Sequence, residues 1–176
     1  MLAKAEGKIL KELMNYFTVS NVGILIDTGV FYAFYNRRDI HHLDSICLIT
    51  HVLEGKFGRP YTSEFVVSET CTLLRYRLGY NTALAFLRAL SKSDIEIIFT
   101  GKDDFEEIVK ILEKYSERKL SFTDATLIHL SKNYGIETIA SYDERSFSGV
   151  LRIIGKNYSK TLPKTEVERI TRLIGE

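Results

Sequence analysis

The chain has 176 residues, the length of one domain, with 45% hydrophobic and 27% charged residues, a balance that excludes disordered and fibrous classes. Its formal net charge of +1 gives no whole-molecule basic signal, so any nucleic-acid contact must come from locally grouped cations such as Arg37-Arg38 and Arg118-Lys119. No run approaches the ~18 uninterrupted apolar residues of a membrane span, and the charged first segment lacks a signal peptide's apolar core, so a cytoplasmic location without membrane attachment is expected.

Ile9, Leu10, Leu13, Met14 and Phe17 recur at helical spacing, and an amphipathic helical extension is expected over residues 1–21. Val22 to Ile26 reads as a buried strand that ends at Asp27-Thr28-Gly29, followed by a short helix to Tyr35. Asp39 can cap a helix from about His41 to Glu54, and a further helix is expected from about Ser63, after Pro60, to Leu78. Thr82 to Leu90 is read as helix, Ile95 to Phe99 as strand, and Phe105 to Tyr115 as helix, its acidic start and basic end matching the helix dipole.

Ser121 opens a helix to about Asn133, with Gly135 in the stop position. Thr138 to Ala140 is a strand, Tyr142 to Ser146 a loop, Val150 to Ile154 the last strand, and Thr165 to Ile174 a final amphipathic helix. Four strands alternating with helices predict an α/β domain over residues 22–156, a three-layer α/β/α sandwich with a mostly parallel central sheet, flanked by an N-terminal helix and a helical tail over 157–176. Cys47 and Cys71 lack metal or redox spacing and read as reduced core thiols.

Ligands of open α/β sheets bind beyond the carboxyl ends of the strands, which draws attention to the two acids that follow apolar strand runs, Asp27 and Asp143. Glu69 falls at the margin of the apolar stripe of its helix, beside Val66 and Leu73. Asp124 forms a capping-box pattern with Ser121, which alone explains it as a helix cap. Taken together, four acids from four segments can converge at one sheet edge. Clustered carboxylates without histidine or cysteine suit a hard cation, Mg²⁺ or Mn²⁺. His41-His42 cannot easily share an ion, since adjacent helical residues point about 100° apart, and His51 and His129 stand alone on helices.

The ordered set I-D-T-G-V-F, E-F-V-V-S-E-T-C-T-L-L, S-F-T-D-A-T-L-I and S-Y-D-E-R-S-F resembles the PIN-domain ribonuclease family, in particular its small VapC-type toxins. The resemblance implies metal-dependent cleavage of RNA, with Asp27, Glu69, Asp124 and Asp143 as catalytic metal ligands. Thr28 and Thr123 would orient water or the substrate phosphate, and Arg37, Arg38, Arg118 and Lys119 would form a basic rim for RNA. The products would carry a 3′-hydroxyl and a 5′-phosphate. A protein antitoxin and a homodimer are the partners it implies. Tyr35 or Tyr142 is a candidate for base stacking. The alternatives are a non-catalytic module that binds RNA or protein, and acids scattered as caps with no common site. A phosphotransferase using Asp27 as nucleophile would want an acid where Gly29 stands, or an acidic pair near the strand end.

Overall fold

The computed structural model describes residues 23–175, so the expected N-terminal helix lies outside the described residues. The chain alternates strands and helices: β1 (Gly23–Ile26), α1 (Thr28–Tyr35), α2 (His42–Leu53), β2 (Arg59–Ser63), α3 (Glu64–Leu78), α4 (Tyr80–Leu90), β3 (Glu96–Ile98) and α5 (Lys102–Lys114). A 3₁₀ turn (Ser116–Arg118) leads to α6 (Phe122–Tyr134), β4 (Thr138–Ser141), α7 (Glu144–Phe147), β5 (Arg152–Gly155), a second 3₁₀ turn (Tyr158–Thr161) and α8 (Lys164–Leu173).

The five strands form one sheet in the order β3-β2-β1-β4-β5, and every pairing is parallel. A strand buried on both faces must be apolar throughout, and β1 is: Gly23, Ile24, Leu25 and Ile26 are all buried in the centre of the sheet. From β1 the chain moves outward to β2 and β3, then returns across β1 to β4. Right-handed crossovers put α1 to α4 on one face and α5 to α7 on the other, which gives the three layers. The direction of winding reverses between β1 and β4, and the carboxyl ends of these two strands flank that reversal.

The sequence reading contains four of the five strands and omits β2. Pro60 explains the omission, because it lacks an N–H and argues against an internal strand. The structure accommodates it near the start of β2, paired in register with Ile24, while Tyr61, Thr62 and Ser63 complete the strand. The segment from Tyr142 to Ser146, expected as loop, closes into the single turn of α7 because Asp143 Oδ1 accepts from the Ser146 amide at 3.1 Å.

The C-terminal helix packs on α2. Ile170 is fully buried against Ile46 and Cys47. The turn before it is held by Asp44, whose carboxylate accepts from the amides of Asn157 and Ser159, each at 2.9 Å, and from the Ser159 hydroxyl at 2.5 Å. Cys47 and Cys71 are both free, and burial pushes the Cys47 thiol up to about 11.

Candidate active site

Asp27 ends β1 and caps α1. Its amide donates to the Ala140 carbonyl of β4 at 3.0 Å, which continues the β1–β4 ladder by one residue, and its Oδ1 accepts from the Thr28 amide at 2.7 Å. Oδ2 accepts from the Ser141 hydroxyl at 2.7 Å. The side chain is buried. Desolvation, opposed by the Ser141 and Thr28 hydrogen bonds and reinforced by the charges of Asp124 and Glu69, pushes its carboxyl up to about 7.

The other three acids are tied to Asp27 through hydroxyl groups. Thr28 Oγ1 donates to Glu69 Oε2 at 2.9 Å, so the exposed glutamate of α3 joins the start of α1. Ser141 Oγ accepts from the Asp143 amide at 3.0 Å. Ser146 Oγ lies 2.7 Å from Asp143 Oδ2 and 3.4 Å from Asp124 Oδ2, a lone hydroxyl proton shared between two carboxylates. The run Glu69–Thr28–Asp27–Ser141–Asp143–Ser146–Asp124 therefore links five elements, α3, α1, β4, α7 and α6, at the carboxyl ends of β1 and β4.

Asp124 also has the capping role expected of it: Oδ2 accepts from the Ser121 amide at 2.8 Å while Ser121 Oγ accepts from the Asp124 amide at 3.0 Å. Asp143 is half-buried. Burial acts upward on its carboxyl, but the Ser146 hydroxyl, the amides of Ser146 and Arg145 and the Arg145 charge outweigh it and hold the group below its ordinary range.

Thr28 is buried and Thr123, in the first turn of α6, is half-buried. The cations are dispersed. Arg37 and Arg38 are exposed beyond the far end of α1, whose eight residues rise about 12 Å from Asp27. Arg118 donates from Nη1 to the carbonyls of Ser146, at 3.3 Å, and Ser148, at 2.7 Å, and lies over the Tyr115 ring at 5.0 Å. Lys119 is exposed in the left-handed region at φ 55°. Tyr142 is engaged already, stacked on His41 with ring centroids 4.1 Å apart and its hydroxyl 2.7 Å from Ser45 Oγ.

Ser141 and Ser146 escaped the sequence reading. The signal was their placement around an acid in S-Y-D-E-R-S, where a serine two residues before Asp143 and another three after it can both reach its turn.

One group of metal-ligating types lies elsewhere among the described residues. Ligand atoms of His51, Glu54 and Glu166 fall within 4.8 Å of one another. Arg169 bonds Glu166 at 2.9 Å and Glu54 at 2.7 Å, and Lys56 sits 3.1 Å from Glu166. Those cations, with His51, hold the Glu166 carboxyl far below its ordinary range, so the group's negative charge is matched by side chains. It is a latch between α2 and α8.

The family model for the PIN domain matches residues 24–151. A protein of Archaeoglobus fulgidus named VapC ribonuclease is 36% identical over 156 residues, spanning 86% of this chain and 95% of the relative. Ribonuclease VapC26 of Mycobacterium tuberculosis is 27% identical over 140 residues, spanning 80% of this chain and all of its own length (100%). The crystal structure of VapC20 from Mycobacterium tuberculosis, described as a sarcin-ricin loop cleaving toxin, matches with a TM-score of 0.66 at 25% identity, over 76% of this chain and 99% of that one. With its parallel sheet wound about β1 and its acids gathered where the winding reverses, the chain belongs to the PIN-domain family, among the VapC-type ribonucleases.

Proposed function

We propose that this chain is an endoribonuclease that hydrolyses RNA phosphodiester bonds with a divalent cation, Mg²⁺ or Mn²⁺, held by Asp27, Glu69, Asp124 and Asp143, and that it acts as the toxin of a toxin–antitoxin pair in the cytoplasm. The observation that carries this reading is the hydrogen-bonded run through Thr28, Ser141 and Ser146 that gathers the four acids. The donor set is all oxygen, which fits a hard cation. Asp27 gives a further reason for the fit: its carboxyl is driven toward the neutral form by burial and by neighbouring acids, and a cation relieves both effects.

When bound, such a cation supplies positive charge to the phosphodiester and acidifies water for an in-line attack. The chain's own residues do the rest. Thr28 and Ser141 fix both oxygens of Asp27, so the carboxylate cannot swing away. Ser146 holds Asp143 and Asp124 in one orientation, and Arg118 holds the backbone on which Ser146 sits. Glu69, exposed, meets substrate and solvent. Thr28 spends its hydroxyl proton on orienting Glu69, Thr123 offers its hydroxyl to the phosphate, and Arg37, Arg38 and Lys119 add rim charge along the RNA. A protein antitoxin and a second copy of the chain are its proposed partners.

Incubation of the protein and its Asp27→Asn variant with mixed single-stranded and structured RNAs tests the reading. Cleavage that requires Mg²⁺ or Mn²⁺, stops with EDTA, leaves 3′-hydroxyl and 5′-phosphate ends and disappears in the variant is the expected result. Retention of RNA by both proteins without cleavage would instead mark a binding module.

A further inference from the structure

Beside the acids runs a row of phenylalanines that starts at the edge of the core, where Phe122 packs, and reaches solvent. Phe65 lies in the first turn of α3, one turn before Glu69 and on the same face of that helix. Its ring packs edge-on against Phe122 of α6 at 5.0 Å, and Phe122 precedes Asp124 by two residues. Phe105 of α5 continues the row, 5.7 Å from Phe122, and is 57% exposed. Phe99 follows the end of β3 and is 74% exposed. Its loop is fixed to α3 by Glu64 Oε1, which accepts from the amide and hydroxyl of Thr100 at 2.8 and 2.7 Å.

These rings therefore stand on the termini of α3, α5 and α6 and on a pinned loop, all at the carboxyl end of the sheet where the acids converge. An aromatic surface whose outer rings, Phe99 and Phe105, are open to solvent and whose inner ring, Phe122, adjoins the proposed cleavage site matches the flat faces of unpaired nucleobases. Lys102 is exposed, but so are Asp103, Glu106 and Glu107 around Phe105, so this surface offers ring faces to bases rather than positive charge to phosphates.

We infer that Phe99, Phe105 and Phe122 form a stacking platform that receives unpaired bases of an RNA strand next to the bond to be cut. This inference rests on the ribonuclease reading above. What it assigns is the role of these three rings: they would hold unpaired bases, whereas paired bases have no free face to offer.

The test uses the full-length chain carrying Asp27→Asn, which keeps RNA uncut, with and without the added pair Phe99→Ala and Phe105→Ala. Both of these side chains are exposed, so an unchanged melting temperature checks that the fold is intact. Binding of a fluorescein-labelled single-stranded RNA of mixed sequence and of its full duplex is measured by anisotropy. Loss of stacking is expected to weaken single-strand binding by about tenfold or more, with duplex binding little changed. In an otherwise native chain, the same pair should raise KM on the single strand and spare kcat.

Equal affinity for the single strand with and without the phenylalanines overturns the platform, as does an equal loss on strand and duplex, or no RNA binding at all. Conversion of a dimer to a monomer by the pair, seen by sedimentation, would assign the surface to a second copy of the chain and also overturn it. If the native protein cuts no RNA, the ribonuclease reading fails; if it cuts and the pair leaves KM unchanged, only the platform fails.

Discussion

Asp27 carries a cost that the proposed cation would offset. Its carboxyl is at about 7 in the fold against an ordinary 3.8, so between those values the folded chain holds a proton that the unfolded chain has released. Stability of the metal-free protein from this group is therefore present at low pH and lost as pH rises toward 7. Denaturant titrations should show it falling from pH 5 to pH 8, and Asp27→Asn should flatten the slope and leave the metal-free protein more stable above pH 7, by on the order of 1–2 kcal/mol. A native protein that gains stability over that interval would contradict the account. Ser146 is a second residue whose role is local. Removing its hydroxyl leaves Asp143 and Asp124 without their shared donor, and Ser146→Ala is expected to reduce Mn²⁺ affinity and RNA cleavage on the order of tenfold, measured by titration and initial rates. At this scale much was legible. An acid that ends an apolar strand is conspicuous, which gave Asp27 and Asp143; Glu69 stood out by its place on the helix. The serines did not, because a small hydroxyl in a turn has many ordinary uses and only its two partners, distant in sequence, distinguish it.

At the scale of elements, the site depends on how closely β4 and β5 approach. Gly155 pairs with Ser141, and a Cβ at Gly155 would meet the Ser141 carbonyl oxygen at 2.1 Å. Backbone, not a flexible side chain, would have to give way. Gly155→Ala is thus expected to destabilise the fold by about 1–3 kcal/mol and to lower cleavage by shifting the serine that anchors Asp27, a paired loss readable from chemical denaturation and activity together. Equal stability and activity would show that the two strands separate more easily than the register implies. Helices were legible from their period and caps: Ser121 and Gly135 bracket α6 as expected, and the capping box is present in full. Strand β2 was not, because Pro60 is a local signal against an internal strand and the tertiary pairing that overrides it, Ile24 with Pro60 and Leu25 with Tyr61, is non-local.

Over the whole molecule, the C-terminal helix and the turn before it are fastened to α2 by packing and by polar contacts, the Arg169–Glu54 pair among them. Ile170 fills the space over Ile46 and Cys47, Asp44 holds the preceding turn, and buried His51 joins Tyr158 at 2.7 Å and Glu166 at 2.8 Å. None of these groups belongs to the acidic run, so Ile170→Ala is expected to cost about 2–4 kcal/mol in unfolding free energy while the cleavage rate of the folded protein is maintained. No helix among the described residues is long and apolar enough to cross a membrane. The net value of +1 was uninformative because cations and most acids are dispersed and paired over the surface, as in the pairs Lys110–Glu107 and Arg169–Glu166, while only a few acids meet where the winding of the sheet reverses. The central claim is that Asp27, Glu69, Asp124 and Asp143 make one divalent-cation site. Titration of Mn²⁺ followed by electron paramagnetic resonance tests it most directly, comparing the native chain with Asp27→Asn, Glu69→Gln, Asp124→Asn, Asp143→Asn and Glu166→Gln. Each of the first four substitutions is expected to weaken Mn²⁺ binding, and Glu166→Gln to leave it unchanged. Binding that survives the first four and is lost with Glu166→Gln would move the metal to the latch between α2 and α8 and contradict the account.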